Sequence, residues 1–129
     1  MASKLSEKEF EVAETCLRDA KILSKSGGSL RSLMNRIYYS VFHAAKAVLI
    51  QMGFDPKTHR GTIHLFLNEI AKKELCSKES AKLLSKAFKL REDSDYDVLA
   101  FLDPKDVRDS LKFADKFLKE MKEIVKESN

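Results

Sequence analysis

The stretch Leu33-Met34-Asn35-Arg36-Ile37-Tyr38-Tyr39-Ser40-Val41-Phe42-His43-Ala44-Ala45-Lys46-Ala47-Val48-Leu49-Ile50 decides how the chain reads. Placed on a helix, Leu33, Ile37, Val41, Ala44 and Val48 form one broad apolar face, and Tyr38, Phe42 and Leu49 extend it around the far side. Arg36, Tyr39, Ser40 and His43 fall within about 100° of one another on an adjoining face. Arg31, Asn35 and Lys46 are left for solvent. A helix apolar over most of its circumference sits at the centre of a bundle or against a second subunit. This one carries more apolar surface than one core is expected to absorb. Tyr38, Phe42 and Leu49 therefore predict a two-fold homodimer.

The flanking segments repeat the helical period. Ser6 and Glu9 read as a capping box, followed by a stripe of Phe10, Ala13, Leu17 and Ala20 that ends at Gly27-Gly28. The central helix then spans residues 29–53. A third helix follows Pro56, capped by Thr58, with Ile63, Phe66, Leu67 and Ile70 as its apolar face. A fourth starts near Ser77 and places Ala81, Leu84, Phe88 and Arg91 on one side. The fifth opens with Asp103-Pro104-Lys105-Asp106, in which Asp103 caps, Pro104 suits the first turn and Asp106 favours the dipole. Its stripe of Val107, Leu111, Ala114, Leu118, Met121 and Val125 alternates spacings of four and three, the pattern of a bundle seam. Residues 96–102 read as a connecting loop. The expected fold is all-α: an up-and-down antiparallel four-helix bundle with an additional short helix, one domain over residues 1–129.

Composition agrees. In 129 residues, 43% are hydrophobic and 34% charged, which excludes wholesale disorder, and only 4 Gly and 2 Pro argue against a loop-rich β fold. The net charge of +4 permits an acidic partner such as RNA without demanding one. The apolar run at residues 44–50 is broken by Lys46, far short of the roughly 20 residues of a membrane span, and the first residues have no apolar signal core. A cytoplasmic protein is expected. Cys16 and Cys76 stand 60 positions apart without a CxxC or a His/Cys cluster, so no metal site is expected and a reducing compartment suits them. No Gly-rich phosphate loop, nucleophile elbow or HExxH occurs, and no cofactor is expected.

Three clusters could carry chemistry. The Arg36/Tyr39/Ser40/His43 stripe reads either as a buried polar network or as a site facing a groove, where Arg36 binds phosphate and His43 transfers a proton. His59, Arg60 and His64 lie at a helix start, where backbone N–H groups favour anions; the alternative is a solvated basic turn. His59 and His64 are five apart, a poor spacing for a helical metal pair. In Arg91-Glu92-Asp93-Ser94-Asp95-Tyr96-Asp97, Arg91 either pairs with a neighbouring acid or forms a site with Tyr96 and carboxylates at the bundle's end.

Residues 35–47, the run Lys57-Thr58-His59-Arg60-Gly61-Thr62-Ile63-His64-Leu65-Phe66 and the run Leu90-Arg91-Glu92-Asp93-Ser94-Asp95-Tyr96-Asp97 together resemble, in order and spacing, the small stand-alone prokaryotic HEPN-domain proteins. These are the higher-eukaryote and prokaryote nucleotide-binding bundles. The resemblance spans roughly residues 6–125 and implies the same bundle fold. It also implies a toxin–antitoxin-type pairing with a small nucleotidyltransferase and a homodimer with the site at its interface. Many relatives are metal-independent ribonucleases, whose motif on the late helix is an Arg, then four to six residues, then a His. A Tyr two residues beyond that His is adenylylated in some members. Here Arg91 matches the motif Arg and Tyr96 the modified Tyr, but residues 94–98 contain no His. Arg36 and His43 fit the literal pattern on the second helix instead.

Two functions are thus expected in competition. The leading one is a HEPN-like module that binds nucleotide or RNA at a basic cleft formed by Arg36, Tyr39, His43, His59, Arg60, Arg91 and Tyr96, without the usual ribonuclease motif. The alternative is a metal-independent endoribonuclease toxin with Arg36 and His43 as catalytic residues.

Overall fold

The computed structural model describes residues 3–97, 99 and 101–127. Val98, the last position at which the family's His would fall, and Ala100 of the expected connection lie outside the described residues. Five α-helices follow one another: α1 (Lys4–Ser26), α2 (Leu30–Gln51), α3 (His59–Phe66), α4 (Lys78–Tyr96) and α5 (Pro104–Glu127). The four long ones form the up-and-down bundle and α3 is the additional short helix. No strand occurs among the described residues.

The helix starts follow from local hydrogen bonding. Ser29, Thr58 and Ser77 each sit in extended backbone and accept the N–H three residues on, from Ser32, Gly61 and Ser80. Asp103 accepts the Lys105 N–H at 2.9 Å ahead of Pro104, the first residue of α5. One expected start moves. Ser3, not Ser6, caps α1, and it accepts the Ser6 N–H. Ser6 is buried inside the helix, where its hydroxyl donates to the Ala47 carbonyl of α2 at 2.8 Å. Gly27 closes α1 with φ 78°, a left-handed conformation that a Cβ would strain.

The third helix also differs in form. After Phe66 the chain widens into a π-helical turn, Leu67–Ala71, in which the Lys72 N–H reaches back to the Leu67 carbonyl at 2.8 Å. Phe66 and Ile70 both remain fully buried across that change of pitch.

α2 is the centre of the molecule and packs against α1, α3, α4 and α5. Tyr38 and Leu49 are fully buried and Phe42 is 5% exposed within this one chain. The surplus apolar surface that would call for a second subunit therefore does not exist: α1, α3, α4 and α5 together cover it. The stripe of α5 is buried as expected except for partly covered Leu111, and Phe117, outside that stripe, is fully buried with its ring 6.0 Å from that of Phe66. Burying one such side chain contributes about 1.5–3 kcal/mol. Among the described residues no helix is long and apolar enough to cross a membrane.

Candidate functional site

The polar face of α2 lies where α1, the start of α3 and the end of α4 converge. Tyr39 is its middle. The Arg36 guanidinium sits 5.3 Å from the Tyr39 ring centroid and the Arg91 guanidinium, from α4, 5.5 Å. Arg91 Nη2 also donates to the Tyr39 hydroxyl at 3.3 Å. His43 stacks beside the same ring at 6.0 Å, and His59 meets its edge at 5.6 Å. Helix spacing places Arg36, Tyr39 and His43 together; tertiary packing adds His59 and Arg91.

Each member is held by a neighbour. Arg36 donates through Nε and Nη2 to Asn35 Oδ1 and approaches the Cys16 sulfur of α1 at 3.8 Å. Burial pushes the Cys16 thiol up, against the pull of Arg36, so this sulfur is not a ready nucleophile. Burial and Glu120 push the Cys76 thiol up to about 11.

His43 Nδ1 stands 2.6 Å from Glu9 Oε2 of α1, and Lys46 Nζ lies 3.5 Å from the other oxygen of that carboxylate. Arg91 Nε lies 2.8 Å from Asp95 Oδ2 one turn along α4, but its buried N–H is not directed at that oxygen and makes no hydrogen bond. The pair is held by charge rather than by a formed hydrogen bond.

His59 lies flat on Phe42, with centroids 4.3 Å apart and planes within 9°. Its Nδ1 is 2.9 Å from the Tyr38 hydroxyl. Burial lowers the affinity of His59 for a proton, and Arg91, His43 and Lys46 lower it further. Burial likewise keeps the Tyr38 phenol protonated. A neutral His59 and a protonated Tyr38 fit a hydroxyl that donates to Nδ1.

Other expected members stand apart. Ser40 is fully buried and donates to the Ile37 carbonyl of its own helix at 2.7 Å, which removes it from the polar face. Arg60 turns to α4, pairing with Glu92 at 3.0 Å and lying 5.9 Å from the Phe88 ring centroid. His64 is exposed. Tyr96 is 85% exposed at the end of α4.

Glu9, Tyr38, Phe42 and Lys46 complete the cluster, and helical spacing alone does not assign them to it. Glu9 gives one signal: a carboxylate next to Phe10 and Ala13 on a buried stripe needs a partner.

The described cluster thus brings two arginines, two imidazoles and a partly buried carboxylate together around aromatic rings in an all-α bundle. The chain belongs to the HEPN domain family, whose model matches residues 6–124. It is 32% identical over 115 residues to a UPF0332 protein of Thermotoga maritima, covering 89% of this chain and 86% of that one. Similarity to a UPF0332 protein of Archaeoglobus fulgidus is 45% over 87 residues, 67% of each chain. A Methanocaldococcus jannaschii protein named "Putative toxin MJ0605" is 33% identical over 87 residues, 67% of this chain and 64% of that one.

Proposed function

We propose that this chain is a toxin-type HEPN module that cleaves RNA without a metal at the Tyr39-centred cluster, with Arg36 and Arg91 holding a phosphate and His43 moving the proton. The observation that carries this reading is the assembly around one ring. Two guanidiniums lie at 5.3 and 5.5 Å and one imidazole at 6.0 Å, with that imidazole hydrogen-bonded through Nδ1 to a carboxylate. A guanidinium recognises phosphate by charge and by paired donors. Imidazole is the side chain best suited to proton transfer near neutral pH. In such a reaction the RNA 2′-oxygen bonds to the adjacent phosphorus and the P–O5′ bond breaks. His43 takes the 2′-hydroxyl proton, water protonates the departing 5′-oxygen, and the products are a cyclic phosphate and a 5′-hydroxyl. The toxin name of a relative supports the same class.

The test is incubation of the purified protein with end-labelled RNA in EDTA. Cleavage is expected, and His43→Ala is expected to lower it by roughly 10²–10⁴-fold while circular dichroism shows an intact helical fold. Full activity in folded His43→Ala protein would move the chemistry elsewhere.

A second reading is a binding partner of a small nucleotidyltransferase that holds nucleotide or RNA without cutting it. Tyr96, whose 85% exposure leaves its hydroxyl open to modification, favours it. An absence of cleavage together with salt-dependent RNA binding supports this reading. Either function can be carried by a homodimer, which light scattering at micromolar concentration detects as twice the chain mass.

A further inference from the structure

We propose that Glu9 is the positioning residue for His43: its carboxylate fixes the imidazole as the Nδ1–H tautomer and so presents Nε2 as the basic nitrogen. The inference rests on the proposed role of His43, but its first readout does not require activity.

An ionised carboxylate only accepts hydrogen bonds, so the ring nitrogen facing it must carry the hydrogen. Glu9 Oε2 lies 2.6 Å from Nδ1, a short, charge-assisted distance. The two side chains are 13% and 22% exposed, so water competes weakly for either. Lys46 stands 3.5 Å from the second Glu9 oxygen, so a cation faces the side of the carboxylate that His43 leaves open. The ring plane is set independently by Tyr39 at 6.0 Å and by the Phe42 edge at 5.2 Å.

The helix carrying Glu9 is itself registered against α2 at two points. Ser6 donates to the Ala47 carbonyl at 2.8 Å, and the Ser3 N–H donates to Gln51 Oε1 at 2.7 Å. These contacts lie on the same side of α1 and hold Glu9 opposite His43. An unpartnered histidine side chain favours the proton on Nε2, so a group that reverses the tautomer changes which nitrogen can act as base.

Long-range ¹H–¹⁵N spectra of the full chain near pH 8.5, well above the ordinary imidazole value, read the tautomer directly. The wild-type His43 is expected to show a protonated Nδ1 and a bare Nε2. Glu9→Ala is expected to revert to Nε2–H, and Glu9→Gln to retain Nδ1–H through its amide oxygen. With RNA as substrate, Glu9→Ala is expected to lose kcat by roughly 10–100-fold, the usual cost of removing a group that orients a functional imidazole. KM should be little changed, and Glu9→Gln should restore part of the loss. If Glu9→Ala does not fold, the wild-type tautomer and Glu9→Gln decide. An Nε2–H tautomer in the wild-type protein, or an unchanged tautomer in folded Glu9→Ala, overturns the assignment. Absent RNA cleavage with the expected tautomers would sink the proposed activity and leave the positioning intact.

Discussion

The two sides of α2 are built by opposite rules. On one, Leu33, Ile37, Val41, Ala44 and Val48 are between 0 and 3% exposed and contribute by exclusion of water. On the other, Arg36, Tyr39 and His43 are half-buried and each has a specific polar partner: Asn35 for Arg36, Arg91 for Tyr39 and Glu9 for His43. The first side tolerates any arrangement that fills space. The second works only if charges and donors meet partners at bonding distance, because a buried polar group without one costs roughly 1–3 kcal/mol. The contrast predicts that stability and the candidate site's chemistry are separable, and substitutions test that separation.

The largest stability effect is expected in the apolar core, where α5 packs against α2. Phe117→Ala removes a fully buried ring packed 6.0 Å from Phe66. It should cost about 3–5 kcal/mol, read as a lower urea midpoint, with RNA affinity per folded molecule unchanged. A comparable loss of affinity in the folded fraction would break the separation.

Arg36→Ala combined with Arg91→Ala should do the reverse. The fold should persist, and RNA binding should weaken with a salt slope reduced by about one, for the single phosphate that the two arginines no longer neutralise. A slope equal to that of the parent would remove both arginines from the binding surface.

A third substitution sharpens the boundary between the sides. Tyr39→Phe keeps the ring between the two guanidiniums but deletes the hydroxyl that Arg91 reaches at 3.3 Å. It should cost about 1 kcal/mol in stability, whereas Tyr39→Ala should cost more and release both arginines. Equal effects of the two would mean that the ring contributes nothing.

The smallest effect is expected in pH dependence. Burial, then Arg91, His43 and Lys46, place the folded-state His59 below its ordinary value. The unfolded chain therefore binds the proton more readily. The contribution of His59 is fully present above about pH 6.5 and is lost as pH falls through the lower folded value. Urea midpoints should decline on acidification below that point, and His59→Gln should flatten the decline. An unchanged curve in His59→Gln would assign the titration to another group.

Much of the fold is legible in the sequence because its signals are local. Ser29, Thr58 and Ser77 cap helices through bonds to N–H groups three residues away, and the α5 stripe repeats within two turns. The start of α1 is instructive. Ser6 and Glu9 have the spacing of a capping box, yet Ser3 takes the cap and both residues face α2. A short polar motif cannot tell a helix end from a polar contact between helices. The expectation of excess apolar surface on α2 fails for a related reason, since an unpaired helix does not reveal how many neighbours surround it.

The sequence by itself determined the all-α class, the helix spans to within a few residues, the buried faces of α1, α2 and α5, and the closeness of Arg36, Tyr39 and His43. All of these follow from a repeat of 3.6 residues and hydrogen bonds reaching three or four positions. On α4, only Leu84 of the expected Ala81, Leu84, Phe88 and Arg91 is buried, alongside Leu83 and Ala87. Only the tertiary structure decided which groups complete the site. Glu9 meets His43 across 34 positions, Tyr38 meets His59 across 21, and Arg91 meets Tyr39 across 52. Those meetings depend on the rotation and register of whole helices, set by the collective packing of the core, and no local pattern encodes them.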